Sequence, residues 1–343
     1  MKALQLKSIG ELVLSDLPRP VPGDGEVLLK IRASGVCGSD IPRIYKKGTY
    51  KFPTVPGHEF SGEIIETGSG ADFPRAVKAA VFPLLPCKKC DMCLIGEYAS
   101  CKNYDYFGSR RDGGFAEYLC APVWNLILND NLSYEELALA EPAAVAVHAL
   151  GKANVSLGDT VAIFGAGAIG LMLAEFAKAR GASKTILFDV DEKKLAFAKQ
   201  NGHFALNSSD DEWINELHVI TRGAGVDVAI DAAGVPQSVE NCLIAAKPLG
   251  RVVLMGNPSG DMNLRRDFYW EILRKQLTLH GTWNSSYSGV KNDWRTAIDA
   301  MESKKVDLKY IISHRFAFDE YVEAFDLLND KSRFSCRVMF INN

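Results

Sequence analysis

The chain has 343 residues, 47% of them hydrophobic and 24% charged, with 39 Lys and Arg against 42 Asp and Glu. That composition is ordinary for folded globular proteins, and the length suits about two domains of roughly 100 to 200 residues each. The net charge of −3 gives no basic surface for nucleic acid, and no uncharged apolar run reaches the roughly 18 residues of a membrane span. Charges interrupt the N-terminal segment MKALQLKSIGELVLSDLP, so we expect no secretory signal and a cytoplasmic location.

The chain has two successive regions with different sequence patterns, and together they predict an α/β fold. Up to about residue 150, short strands such as EVLLKIRASGV, FSGEIIETGSG and AAVFPLL alternate with Gly- and Pro-rich turns. From Asp159, apolar strands alternate with helical periods, which indicates βαβ units on a doubly wound parallel sheet. Two helical stretches and a final strand, CRVMFIN, follow Trp283. We therefore predict a β-rich domain at 1–150, a parallel-sheet domain at 151–284 and a C-terminal segment at 285–343, and leave 68–80 unassigned.

A glycine-rich turn, GAGAIG, joins a strand predicted at 160–164 to an apolar-faced helix predicted at about 168–180. There the first glycine permits a tight turn, the second lets backbone approach a pyrophosphate, and the third lets helix and strand pack closely. The helix start offers free N–H groups and a positive dipole end to the phosphates. The predicted pyrophosphate-binding residues are Gly165, Gly167, Ala168, Ile169 and Gly170.

Asp189 ends the next predicted strand, where a carboxylate can accept hydrogen bonds from both adenosine ribose hydroxyls. The same carboxylate would repel a 2′-phosphate, so we expect NAD rather than NADP. The alternative is a tight packing turn beside a solvated aspartate.

Four cysteines with the spacing C-x2-C-x2-C-x7-C indicate a structural zinc site. Thiolates so close together suit a closed tetrahedral ion, and the surrounding loop has too few large apolar residues to order itself. A nucleic-acid-binding zinc module is disfavoured by the acidic balance, and buried free thiols are disfavoured by the clustering. The predicted structural ligands are Cys87, Cys90, Cys93 and Cys101.

A second set of candidate metal ligands is scattered along the sequence: Cys37 in GVCGSD, His58 and Glu59 in GHEFSG, and Glu141 in AEPAAVAVH. Taken singly, each has an ordinary structural explanation, as a small buried hydrophobe, a hydrogen-bonded histidine or an acid at a helix start. Spacing alone leaves a metal site and these explanations equally open.

The motifs GVCGSD, GHEFSG, the four-cysteine loop, DGGFAEY, EP followed by VxH, and GAGAIG occur in this order. In this the chain resembles the zinc-dependent medium-chain dehydrogenase/reductase family over essentially its whole length. The resemblance implies a GroES-like catalytic domain, to which 285–343 returns, packed on a Rossmann domain with the active cleft between them. It also implies a homodimer or homotetramer, because relatives commonly pair through their Rossmann domains.

Residue by residue, the resemblance implies two zinc ions per chain and NAD. Cys37, His58 and Glu141 match the catalytic zinc ligands, and Glu59 matches a carboxylate beside that metal. The four loop cysteines match the structural zinc site. Asp189 matches the ribose binder, and Lys194 matches a basic residue near that ribose.

Three protein ligands leave one zinc position for a substrate oxygen, whose pKa the ion lowers before hydride transfer. Many relatives relay the alcohol proton through a histidine at the position that Pro42 occupies here. Proline cannot carry a proton, so we hypothesise that Ser39 performs this step. His148, seven residues after Glu141, is interpreted as structural.

The phrases CGSDIPRIYKKG, PLLPCKKCDMC and YFGSRRDGGFAEY resemble a polyol-phosphate branch of the sorbitol dehydrogenase relatives. A phosphorylated substrate needs cations, and the candidates are Arg43, Lys46, Arg110 and Arg111, each of which could equally be a solvated surface residue. The alternatives are an unphosphorylated polyol such as sorbitol or xylitol, another secondary alcohol, or a catalytically silent zinc and nucleotide binder. Because Cys37, His58 and Glu141 are all present, a catalytically silent protein is disfavoured.

Overall fold

The computed structural model describes residues 1–71, 73, 76–209 and 212–342, which form two compact units. The first unit consists of 1–144, 286–304 and 308–343, and the second of 145–285 and 305–307. The two units divide after residue 144, within the helical run that ends at Lys152, and the domain bounds 1–150, 151–284 and 285–343 stay a prediction. Within the described ranges, no helix has the length and apolar character to cross a membrane.

Both units combine short strands with short helices. The strands of the first unit are β1 (Lys2–Ser8), β2 (Glu11–Asp16), β3 (Glu26–Gly35), β4 (Glu59–Thr67), β5 (Lys78–Val81), β6 (Leu84–Leu85), β7 (Asp105–Tyr106), β8 (Tyr118–Pro122), β9 (Leu126–Leu128), β16 (Ile312–Phe316) and β17 (Arg337–Ile341). The strands of the second unit are β10 (Thr160–Phe164), β11 (Lys184–Asp189), β12 (Phe204–Asn207), β13 (Val226–Asp231), β14 (Ala246–Leu254) and β15 (Thr278–Gly281). The α-helices are α1 (Asp40–Pro42), α2 (Asp91–Leu94), α3 (Tyr134–Ala138), α4 (Ala140–Lys152), α5 (Ala168–Ala179), α6 (Glu192–Gln200), α7 (Glu212–Thr221), α8 (Pro236–Ala245), α9 (Arg266–Arg274), α10 (Asp293–Glu302) and α11 (Tyr321–Asn329). The described residues also form a π-helix (Arg43–Lys47) and four 3₁₀ turns (Tyr98–Ser100, Val123–Asn125, Lys309–Ile311, Phe318–Glu320).

The first unit is built on a seven-stranded sheet in the order β16-β17-β3-β4-β5-β9, with β8 also paired to β3. Apart from the parallel pair β16 and β17, its neighbours are antiparallel. The register sets Gly35, the last residue of β3, opposite Glu59, the first residue of β4. In β17, Met339 also pairs with Gly35. The sheet therefore brings the end of β3 and the start of β4 beside the middle of β17, although these segments are far apart in the sequence.

The second unit contains a six-stranded parallel sheet in the order β12-β11-β10-β13-β14-β15. The first strand in sequence, β10, lies in the middle, and the chain winds outward from it in both directions, as in a dinucleotide-binding fold. Phe164 stacks on Phe188 with ring centroids 4.5 Å apart, and Trp213 of α7 packs edge-on against both rings. This arrangement confirms the doubly wound parallel sheet predicted from the alternating strand and helix periods.

Of the segment 68–80, for which the sequence predicts no definite element, residues 72, 74 and 75 lie outside the described residues, and β5 begins at Lys78.

Candidate active site and cofactor site

The four loop cysteines converge on one point in the first unit. Their Sγ atoms all lie within 4.8 Å of one another, with Cys87 and Cys93 4.0 Å apart and Cys90 and Cys101 3.9 Å apart. These separations are far beyond a disulfide bond of about 2.05 Å. They are close to the edge of about 3.8 Å that a tetrahedron of 2.3 Å zinc–sulfur bonds would have. The geometry therefore fits a closed zinc site.

The electrostatics of the cluster also fit a cation. Backbone N–H groups of Lys102 and Cys93 lower the pKa of Cys90 to about 6, whereas burial raises the pKa of Cys93 to about 12. Packed thiols so different in acidity cannot all ionise without a positive charge among them. A bound zinc ion would supply that charge and take all four as thiolates.

A second cluster forms where β3 ends and β4 begins. One ligand atom from each of Cys37, His58 and Glu59 lies within 4.8 Å of the others, and His58 and Glu59 are buried. Cys37 follows β3 by two residues, and the pairing of Gly35 with Glu59 brings these chain segments side by side. A thiolate, an imidazole and a carboxylate at this spacing are a donor set that suits zinc.

Asp40 sets the electrostatics around His58. Nδ1 of His58 lies 3.5 Å from Oδ1 of Asp40 and is buried without a hydrogen-bond partner among the described residues. Burial disfavours a charged imidazole, yet the nearby Asp40 and Cys37 outweigh burial and hold the pKa of His58 well above its usual value. Burial would also raise the pKa of Asp40, but His58, Arg43 and the Cys37 amide lower it below its usual value. The pocket thus presents negative groups to a cation.

Glu59 is held by an arginine from the far end of the chain. Nη1 of Arg337, the first residue of β17, lies 2.8 and 2.9 Å from the two Glu59 carboxylate oxygens and donates to the Val36 carbonyl at 3.0 Å. Both side chains are at least nine-tenths buried. The ion pair fixes the Glu59 carboxylate beside Cys37 and His58. Glu59 is thus held in place by Arg337 at a position from which it could also coordinate a metal ion.

Glu141 lies close to this cluster but outside the 4.8 Å group. It stands in the first turn of α4, is buried, and its Oε1 is 3.5 Å from the Tyr106 hydroxyl. Burial raises the pKa of Glu141 to about 7, against the influence of nearby His58, and Glu59 raises it further. The third-ligand role predicted for Glu141 stays a prediction; in this geometry Glu59 stands nearer to the two other ligands.

Ser39 lies directly beside the cluster, with its hydroxyl 3.3 Å from Sγ of Cys37 as donor. In this geometry its proton is directed at the ligand sulfur. A role in moving the substrate proton, as the missing histidine at Pro42 suggested, stays a prediction. His148 is buried on α4, in keeping with the structural interpretation.

The GAGAIG turn in the second unit has the shape that a pyrophosphate needs. Gly165 follows β10 with φ of +119°, a conformation that disfavours side chains, and a Cβ on Gly170 would overlap the Gly165 carbonyl oxygen. A Cβ on Gly167 would meet nothing within 4 Å, so space for a ligand lies next to this backbone. Ala168 and Ile169 begin α5, whose first N–H groups lack helical partners.

Asp189 stands at the carboxyl end of β11, beside that turn. Its Oδ2 accepts the Ala166 N–H at 2.8 Å, and its Oδ1 accepts the N–H groups of Val190 and Asp191 at 2.9 and 3.0 Å. Nζ of Lys194 lies 3.7 Å from Oδ2. These contacts orient the carboxylate next to the glycine turn, where a ribose would lie, and place Lys194 at the same spot.

The four candidate phosphate-binding cations differ sharply in their surroundings. Arg43 is ion-paired with the buried Asp40, and Lys46 is exposed on the π-helix. Arg111 lies over the Phe107 ring at 5.1 Å, with Nε 3.8 Å from Asp105. Arg110 lies over two tyrosine rings instead of a carboxylate.

Sequence reasoning overlooked Asp40, Tyr106 and Arg337 as parts of this site. Asp40 is the last residue of the GVCGSD motif, so the motif was identified from the sequence but no role was assigned to the Asp40 carboxylate. Arg337 is the first residue of the otherwise apolar strand β17, and a charge at this place was the only mark of a buried ion pair.

Comparison with known proteins gives concordant results for both units. Residues 23–130 match the alcohol dehydrogenase GroES-like domain, and 168–303 match the zinc-binding dehydrogenase family. The chain is 39% identical to galactitol 1-phosphate 5-dehydrogenase of Escherichia coli K12, over 87% of this chain and 88% of the relative. It is 35% identical to L-threonine 3-dehydrogenase of Pyrococcus horikoshii, over 93% and 91%. The crystal structure of galactitol-1-phosphate dehydrogenase from Escherichia coli superposes with a TM-score of 0.92, at 35% identity and 100% coverage of both chains.

Proposed function

Because this chain belongs to the zinc-dependent medium-chain dehydrogenase/reductase family, we propose that it oxidises the secondary alcohol of a polyol phosphate with NAD. The specific reaction that we propose is galactitol 1-phosphate to tagatose 6-phosphate. The cluster of Cys37, His58 and Glu59, a donor set that suits zinc, is the observation that carries this proposal. The similarity to a galactitol 1-phosphate 5-dehydrogenase supports the substrate.

The chain's own residues prepare two binding places for this chemistry. Cys37 and His58, with Glu59 or Glu141 as the carboxylate, would hold a catalytic zinc ion, while Arg337 and Asp40 orient two of these ligands. When bound, zinc supplies a Lewis acid that lowers the pKa of an alcohol, and NAD supplies the hydride acceptor. Gly165, Gly167 and Gly170 would bind the pyrophosphate and Asp189 the ribose. The protein's part is to position both and to exclude water.

A substrate screen that follows NADH at 340 nm tests this proposal. We expect galactitol 1-phosphate to give a kcat/KM at least about tenfold above sorbitol, xylitol and L-threonine, because charge-assisted phosphate contacts contribute about 1.5–3 kcal/mol. With NADP, we expect about a tenfold lower kcat/KM, because an Asp189 carboxylate that binds the ribose would repel a 2′-phosphate.

Each contrary result identifies an alternative. Faster turnover of sorbitol, xylitol or threonine would replace the phosphorylated substrate by an unphosphorylated one. Equal efficiency with NADP would overturn the assignment of Asp189. No NADH formation with any substrate, from protein that carries zinc, would indicate a silent zinc and nucleotide binder.

We also propose that two copies of the chain pair through the second unit, alone or as half of a tetramer. Strand β15 is an edge of the parallel sheet, and the neighbouring helix α9 has no buried residue. Tyr269 and Trp270 on that helix are about half exposed, and Trp283 just after β15 is 67% exposed. An open strand edge beside large apolar side chains is the kind of surface that a symmetric partner covers.

Light scattering of the purified protein tests this pairing. We expect the wild type to have at least twice the mass of one chain and Trp270→Asp to shift it toward the monomer, because a charge would be buried without a partner. Val219→Asp on α7, where the valine is 80% exposed, is the matched control and should leave the mass unchanged. A monomeric wild type, or an unchanged mass for Trp270→Asp, would contradict this interface.

A further inference from the structure

Arg110 has unusual surroundings for a cation near the metal cluster. Its guanidinium carbon lies 4.0 Å from the ring centroid of Tyr50 and 4.5 Å from that of Tyr104. Its backbone N–H donates to the Tyr106 carbonyl at 3.0 Å, and the Tyr50 N–H donates to the Ser109 carbonyl at 3.3 Å. Two aromatic rings therefore flank the Arg110 side chain, and the two backbone hydrogen bonds hold the segment that carries it.

Among the described residues, none accepts a hydrogen bond from the guanidinium of Arg110. Nε is buried and has no hydrogen-bond partner, and no carboxylate pairs with Arg110 in the part of the chain that the structure describes. Contacts with ring faces stabilise the charge but accept none of its N–H groups in ordinary hydrogen bonds. A buried donor without an acceptor is costly, so an incoming oxygen acceptor would be favoured here.

The other three candidate cations either lie near a carboxylate or lack ring contacts that would hold them in one orientation. Arg43 serves the buried Asp40, and Arg111 lies near Asp105. Lys46 is exposed and, being an ammonium on a flexible stem, cannot offer a planar pair of donors. Only Arg110 combines a held position with unused donors among these four described side chains.

A continuous row of rings connects Arg110 with the metal cluster. The Tyr104 ring lies 6.3 Å from Tyr106, and the Tyr106 ring lies 5.8 Å from His58, centroid to centroid. The Tyr106 hydroxyl also approaches Glu141. All of these residues belong to the first unit, so one body sets their spacing. A substrate of several carbons that reaches the cluster with its hydroxyl would have its other end along this row.

We infer that Arg110 is the residue that binds the phosphate group of the substrate and so determines the preference for phosphorylated polyols. This inference rests on the proposed function and makes it specific. A phosphate dianion can take two parallel hydrogen bonds from the planar guanidinium, and the phosphate of a 1-phosphate is four carbon–carbon bonds from an oxidised C5. The tyrosine contacts keep the arginine oriented before the substrate arrives, which lowers the entropy lost on binding.

Kinetics of Arg110→Gln and Arg110→Lys test the inference. For Arg110→Gln we expect KM for galactitol 1-phosphate to rise about 10- to 100-fold, with KM for sorbitol changed less than about twofold. The KM of Arg110→Lys for galactitol 1-phosphate should lie between those of this variant and the wild type, because lysine keeps the positive charge but lacks the planar pair of donors. Arg19→Gln is the matched control: Arg19 also lies over a tyrosine, Tyr118, at 4.7 Å and pairs with Glu66, but neither contact leads to the cluster. Equal changes in KM for both substrates in Arg110→Gln would overturn the inference.

Inhibition by inorganic phosphate separates this inference from the substrate proposal. With whichever polyol is turned over, phosphate should inhibit the wild type competitively, and Arg110→Gln should raise its inhibition constant about tenfold or more. If only unphosphorylated polyols react but phosphate inhibition depends on Arg110, the substrate proposal fails and the anion site stands. If phosphate inhibits the wild type and Arg110→Gln equally, or inhibits neither, the anion site fails. A melting temperature of each variant close to that of the wild type shows that the comparison concerns folded protein.

Discussion

Replacement of Cys37 by alanine is expected to lower kcat/KM by about a thousandfold or more while the protein stays folded. The thiolate is one of three donors gathered within 4.8 Å, and without it His58 and Glu59 alone would hold zinc weakly. Loss of a Lewis acid removes several kcal/mol of stabilisation at the developing oxygen charge, and about 4 kcal/mol corresponds to a factor of about a thousand. Steady-state kinetics and metal analysis by mass spectrometry measure both effects.

The metal content should fall from two zinc ions per chain to one, because the four-cysteine cluster does not include Cys37. Cys120→Ala is the matched control. Cys120 lies on β8, outside both clusters, and burial raises its pKa to about 11, so it remains a neutral thiol. Full activity or two zinc ions in Cys37→Ala would refute the assignment of this cluster as the catalytic metal site.

Replacement of Cys93 by alanine is expected to destabilise the first unit strongly. Cys93 lies on α2 and is one of the two buried thiols of the four-cysteine cluster. Without it, three sulfurs would leave the ion with an open position in a site built to be closed. The loop around it has short elements only, a four-residue helix and one 3₁₀ turn, so metal binding replaces a core of its own. We expect a loss of about 4 kcal/mol or more, and hence a fall in melting temperature of roughly 10 °C.

Calorimetry and zinc analysis of Cys93→Ala, with Cys120→Ala again as control, test this expectation. At a temperature well below the lowered transition, kcat/KM should stay within about tenfold of the wild type, because Cys93 contributes nothing to the catalytic cluster. Zinc content of two per chain with an unchanged melting temperature would show that the four thiols do not form a structural site. Complete loss of activity in folded protein would show that the two clusters are not independent.

Features that depend on residues close together in the sequence could be predicted from the sequence alone. The strand, glycine turn and helix around 160–180 were predicted within a residue or so, because their period and turn chemistry depend on consecutive residues. The four cysteines lie within fifteen positions, so a single loop was enough to bring them together. The alternating texture after Asp159 likewise predicted a parallel sheet, since strands and helices of this pattern pack in few ways.

The candidate zinc site at Cys37 and His58 was harder to predict, because its members are separated along the chain and each residue is ordinary when taken alone. From spacing, Cys37, His58 and Glu141 were no more than a possibility, and family resemblance was needed to connect them. The sheet of the first unit sets Glu59 opposite Gly35, two residues before Cys37, and this pairing brings His58 and Glu59 beside Cys37.

Amino-acid sequence by itself determined the local elements, the glycine turn and the four-thiol loop of this protein, because each depends on neighbours in the chain. Tertiary structure alone decided that Arg337 lies against Glu59, 278 positions away, and that Arg110 lies over Tyr50, 60 positions away, as well as over Tyr104. The physical reason is that a buried charge must find its partner in space, and strand pairing, which no local pattern encodes, sets which partners are within reach.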